Sequence, residues 1–112
     1  MTLTDKTGAP VTITKEGSRF VVGVEGQRVG LAAFADRDGQ RVFYHTTVEE
    51  AFGGRGLATV LIAEALRQTR AEGLRIVAVC EMVSAYVKKH QDFNDILDRP
   101  TRAIVTWLRE LD

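Results

Sequence analysis

The chain has 112 residues, 45% of them hydrophobic, with 15 basic and 15 acidic side chains; this suits one globular domain that buries about two-thirds of its unfolded surface and leaves no room for a second. The even charge balance removes the simplest case for nucleic acid or an anionic membrane as partner, and no window approaches the roughly 18 apolar residues that span a bilayer. A lone cysteine, Cys80, excludes an internal disulfide and a thiolate metal cluster; with an N-terminus unlike a signal peptide, it points to a cytoplasmic protein.

The first half of the chain reads as strands. Residues 11–15 alternate (V-T-I-T-K), Glu16-Gly17-Ser18 is a turn cluster, and residues 19–25 are rich in Phe and Val. Gly26-Gln27 reverses the chain into a strand over 28–35, D-R-D-G-Q turns it again, and residues 41–48 (R-V-F-Y-H-T-T-V) are β-branched and aromatic. Beyond a glycine segment the period changes. Ala58, Leu61, Ile62, Ala65 and Leu66 line one face of a helix that runs to about Glu72, with Gly73 placed to end it. Residues 74–80 (L-R-I-V-A-V-C) form a short apolar run suited to a strand buried on both faces. Strand, helix and buried strand make a right-handed crossover, so 41–48 and 74–80 are expected to run parallel. Met82, Val83, Tyr86 and Val87 then follow helical spacing to about His90. After Asp98-Arg99-Pro100, a last amphipathic helix carries Ile104, Trp107, Leu108 and Leu111, packed on the sheet or on a second copy. The fold class expected is α+β: a mixed sheet with an antiparallel N-terminal meander, a parallel βαβ unit and C-terminal helices.

The glycine segment, F-G-G-R-G-L-A at 52–58, puts poor helix formers where a helix begins. A loop emptied of side chains lets the backbone approach a ligand, and the helix start beyond it offers unpaired N–H groups and a positive dipole end, which suits phosphate. The Lys-Ser/Thr pair of a nucleotide triphosphate loop is missing, because Leu57 and Ala58 follow Gly56, and the order G-x-G-x-x-G is absent. Diphosphate binding and a glycine turn for tight strand-to-helix packing are the two readings left.

Meander, glycine loop, long helix, buried parallel strand and further helix together resemble the GNAT superfamily of acetyl-CoA-dependent acyltransferases. Its pyrophosphate loop follows Q/R-x-x-G-x-G/A, which residues 53–58 match at Gly56 and Ala58; Gly53 stands where Gln or Arg is usual. The closer resemblance is to the short YjdJ-type subfamily, carried by His45-Thr46-Thr47-Val48, by the glycine loop, and by Cys80 with Tyr86 and His90. It spans about residues 11–93, within a single domain expected over 1–112, and leaves the helix over 100–112 as an extension. Glu81 and Gln91 replace prolines usual in that subfamily.

The resemblance implies acetyl-CoA as co-substrate and an amine acceptor, small molecule or protein. The diphosphate would rest on the N–H groups of Gly53, Gly54, Arg55, Gly56, Leu57, Ala58 and Thr59, with Arg55 adding charge. The pantetheine arm would lie where the two parallel strands separate, facing backbone groups near Thr47 and Val48. Cys80 is the candidate acetyl carrier or thioester neighbour, His45 the candidate base, and Tyr86 the candidate acid for the departing thiolate. Without the resemblance, each also reads as a structural residue: a small buried hydrophobe, a hydrogen-bonded strand histidine, a core aromatic. Lys88 and Lys89 are candidates for the CoA 3′-phosphate, and Glu49 and Glu50 are the alternative bases. Direct attack by the amine is favoured over an acetyl-Cys80 route, because it needs no activated thiolate. A non-catalytic acyl-CoA-binding or sensing module is the alternative function. The expected assembly is a monomer or weak homodimer, with no metal, nucleic acid or membrane partner.

Overall fold

The computed structural model describes residues 3–111; positions 1, 2 and 112 of the expected domain lie outside it. Seven strands form one sheet in sequence order: β1 (Leu3–Thr4), β2 (Pro10–Glu16), β3 (Arg19–Val24), β4 (Gln27–Arg37), β5 (Gln40–Val48), β6 (Arg75–Ala78) and β7 (Leu97–Asp98). Neighbours from β1 to β5 are antiparallel, and β5–β6 and β6–β7 are parallel. Among the described residues there are also three helices, α1 (Leu57–Ala71), α2 (Glu81–Lys89) and α3 (Arg102–Arg109), with 3-10 turns at Glu50–Phe52 and Gln91–Ile96. The expected meander and parallel unit are present. The short strands β1 and β7 have too few residues to show a period and were not expected.

α1 forms where the three-and-four spacing predicts. Leu57, Leu61, Ile62, Ala65, Leu66 and Thr69 are its buried face, set against a cluster of Phe20, Phe34 and Phe43 whose ring centroids lie 5.3 to 6.3 Å apart. Each fully buried leucine contributes roughly 1.5–3 kcal/mol of transfer free energy, enough to orient the helix on the sheet. Gly73, at φ 77°, ends it by letting the chain turn left-handed.

α3 covers the opposite face of the sheet. Thr101 caps it by accepting from the Ile104 N–H at 3.2 Å, and Ile104, Trp107 and Leu108 pack on Val42 and Val77. Trp107 therefore serves the sheet, and Arg37 lies over its ring at 5.1 Å. Leu111, expected on the apolar face of this helix, falls beyond its end and is exposed. The strand expected over 74–80 is shorter: it stops at Ala78, and Cys80 is the N-cap residue of α2.

The strand β5 buries a charge. Arg41 is 1% exposed, its guanidinium 4.3 Å from the Phe34 ring centroid. It donates to both oxygens of Asp36 at 2.9 Å and to both oxygens of Glu72 at 2.8 and 3.1 Å. Arg41 above all, and then Lys15, hold the Glu72 carboxyl down to about 2 from its ordinary 4.5. A depressed folded-state value means that the unfolded chain takes up the proton first, so this stabilisation is full above about pH 4.5 and is lost as the pH falls toward 2. Solvent screens a carboxylate that is 37% exposed, which makes the effect modest. Thermal melts should show a steeper loss of stability across that window for the wild type than for Glu72→Gln; parallel acid limbs would contradict the assignment.

Candidate active site

The site begins where β5 and β6 part. Their pairing runs from Gln40↔Arg75 to Phe43↔Ala78. Beyond it, the N–H groups of Val79 and Cys80 both donate to the Phe43 carbonyl, at 3.0 and 2.9 Å, and the chain turns into α2. β5 continues to Val48 without a β6 partner. A gap opens between the strand ends, as expected.

The glycine loop lies at the end of β5. Gly54 and Gly56 have φ of 77° and 74°, while Arg55 between them keeps a negative φ. Such alternation turns successive N–H groups to one side, the geometry of an anion-binding nest. Among the described residues, no N–H from position 54 to 59 has a hydrogen-bond acceptor, and the last three of these open α1. Glycine at the head of this helix is explained by backbone sign: a residue with a Cβ resists positive φ. The N–H of Gly53 is different, since it donates to the Glu50 carbonyl at 3.0 Å. It is not free for a ligand, which corrects the expectation for that position.

Two hollows meet at the head of α1. One, of about 220 Å³, is lined by Val48, Phe52 and the glycine loop as far as Thr59. The other, of about 320 Å³, lies between α1 and α2 and is lined by Ala58, Thr59, Ile62, Met82, Tyr86, Lys89 and His90 among others. Ala58 and Thr59 belong to both, so the two hollows adjoin at the head of α1. Met82, on the apolar spacing of α2, is 40% exposed and borders the second hollow. Tyr86 stacks on His90 with centroids 4.5 Å apart. Burial, reinforced by the charge of Asp92, pushes its phenol up, so it keeps its proton at neutral pH, as a donor to a leaving thiolate must. The two candidate lysines separate: Lys89 borders the same hollow, whereas Lys88 lines a different hollow beside Asp98 and Pro100.

A bulge decides which side chains meet at Cys80. Ala33 pairs with His45 but Phe34 pairs with Phe43, so Tyr44 is an extra residue on β5. Side-chain alternation restarts one position late. Thr46, opposite the core residue Ala32, shares the helix side of the sheet with Phe43, and His45 and Thr47 face the other side. The Cys80 thiol accordingly donates to the Thr46 hydroxyl at 3.4 Å. His45 is exposed on the far face and does not meet Cys80. Thr47 and Val48 are divided in the same way. Val48 borders the loop hollow, whereas Thr47 lines a hollow of about 280 Å³ on the far face with Glu49, Arg19 and Arg28.

Sequence reasoning missed the N-terminal turn. Asp5, with no exposed side-chain surface, accepts from Arg55 Nε at 2.7 Å and from the Thr7 hydroxyl, Thr7 N–H and Ala9 N–H at 2.6, 2.8 and 3.0 Å. The Thr7 hydroxyl foremost, then the Ala9 and Thr7 N–H groups and Arg55, hold its carboxyl down to about 2 against the opposing effect of burial. The Lys6 N–H donates to the Arg55 carbonyl at 2.9 Å. Arg55 is thus already paired, and its guanidinium lies over Phe52 at 5.4 Å. The stretch D-K-T-G has the composition of a turn, but nothing local in it announces a contact fifty residues away.

Residues 19–96 match the GCN5-related N-acetyl-transferase family, and the chain belongs to that family of acyl-transferring enzymes. In fold it is similar to a GCN5-like protein from Staphylococcus aureus solved by NMR, with a TM-score of 0.63 and 20% identity over 81% of this chain and 91% of that one. No curated protein matches the chain in sequence. Among the described residues, no helix is long and apolar enough to cross a membrane.

Proposed function

We propose that the protein transfers an acetyl group from acetyl-CoA directly to an amine. The observation that carries this reading is the run of unpaired N–H groups at the head of α1, bordered by the loop hollow beside the end of β5 and by the α1–α2 hollow. The N–H groups of Gly54, Arg55, Gly56, Leu57, Ala58 and Thr59 hold the diphosphate, and the gap takes the pantetheine arm beside Val48. The acceptor approaches from the far-face hollow, where Glu49 acts as the base and His45 shares the face. The amine nitrogen bonds to the thioester carbon, the C–S bond breaks, the proton lost by the amine goes to the base, and Tyr86 protonates the thiolate.

Direct attack is favoured over an acetyl-Cys80 intermediate because the thiol donates to a neutral hydroxyl and the candidate histidine faces away. Mass spectrometry after incubation with acetyl-CoA alone should find no acetyl group on Cys80, and Cys80→Ser should retain turnover within about threefold, less than 1 kcal/mol of barrier. An acetyl-cysteine that passes its group to an added amine would overturn the direct route. Acceptor-dependent release of CoA across an amine and peptide library separates transfer from mere sensing. Tight acetyl-CoA binding with no such release would leave the sensing module as the function.

A further inference from the structure

The turn between β1 and β2 closes against the outer side of the glycine loop, and its parts divide into a brace and a free cation. Asp5 grips Arg55 through Nε, while the Lys6 N–H grips the Arg55 carbonyl. The middle of the loop is therefore held through both its side chain and its backbone. This leaves Arg55 poorly placed to neutralise a bound anion, because its charge already faces a buried carboxylate. Lys6 is the opposite case. Its methylenes lie along Gly56, so that a Cβ built there would sit 3.1 Å from Lys6 Cγ and Cε, and no carboxylate of the described residues pairs with its ammonium group. The Lys6 stem thus rests on a glycine of the nest, and its charge is matched by no carboxylate of the described residues.

We propose that Lys6 is the cationic contact for the diphosphate of the bound co-substrate, and that the side chains of Asp5 and Arg55 position the loop without touching the ligand. The inference rests on the diphosphate reading of the loop and adds to it a residue from the opposite end of the chain. A lysine suits the role, since its ammonium acts as a mobile point charge and the N–H groups supply the directional bonds. Gly56 also gains a second function: any side chain there would lift Lys6 away.

Calorimetric titration of the full chain with acetyl-CoA and with S-acetylpantetheine, which lacks the diphosphate, tests this. Lys6→Gln should weaken acetyl-CoA binding about tenfold, the scale of one charge-assisted contact, leave S-acetylpantetheine unchanged and reduce the salt dependence of acetyl-CoA binding. Lys6→Arg should restore most of the loss. A Lys6→Gln variant that binds acetyl-CoA as tightly as the wild type would overturn the role of Lys6 and leave the loop assignment standing. A wild-type protein that binds acetyl-CoA no more tightly than S-acetylpantetheine would overturn the diphosphate seat itself, and Lys6 with it.

Discussion

Gly56→Val should lower the affinity for acetyl-CoA about 100-fold, or nearly 3 kcal/mol, while leaving the circular dichroism spectrum of the fold in place. Valine is β-branched and is a genuine outlier at positive φ, so holding the 74° of Gly56 would cost on the order of 1–3 kcal/mol. The loop relieves that strain by reversing the sign of φ, which rotates the following N–H groups out of the nest. Sterics against Lys6 add less, because the atoms that a Cβ would meet belong to a flexible stem. The loop is peripheral to the hydrophobic core, so binding is lost long before folding is. Unchanged acetyl-CoA affinity in a folded Gly56→Val protein would show that the diphosphate does not rest on this loop.

Arg41→Ala should destabilise the protein by about 3 kcal/mol, a fall in Tm on the order of 10 °C for a chain of this size. Two losses combine. Alanine leaves a cavity beside Phe20 and Phe34, where the guanidinium now stacks, and it frees two carboxylates from their shared cation. The second loss is tempered because Asp36 and Glu72 are 44% and 37% exposed and water can solvate them. Arg41→Met, which keeps the stem and fills the space, should therefore recover more than half of the deficit. Chemical denaturation of the two variants checks the division; equal losses would mean that the ionic network, not the packing, carries the stability.

Much of this architecture was legible because its signals are local. The three-and-four spacing of Leu61, Ile62, Ala65 and Leu66 needs no tertiary information, and Gly73 ends α1 for a reason visible in its own backbone. The glycine loop was legible too, since only an empty backbone tolerates two positive φ values around an arginine. What escaped was set by phase or by distance. That the strands bearing His45 and Cys80 are neighbours followed from the crossover. Which side chains meet did not, because one bulge at Tyr44 exchanges the faces of every residue after it. The mutual contacts of Asp5, Lys6, Arg55 and Gly56 join segments far apart in the chain. Arg41 looked like an ordinary polar residue of a strand, and only the folded arrangement shows two carboxylates converging on it.

The helix α3 fastens the paired stretch that leads into the same gap. By covering Val42 and Val77 it closes the second face of β5 and β6, whereas the equivalent face of β2 and β3 exposes Thr12, Thr14 and Arg19. The two strands that frame the gap are thus the ones fastened from both sides. Their order is established during folding, so an arm entering between them finds walls with little conformational entropy left to lose. The ordering penalty of binding falls on the flexible ligand and not on the protein.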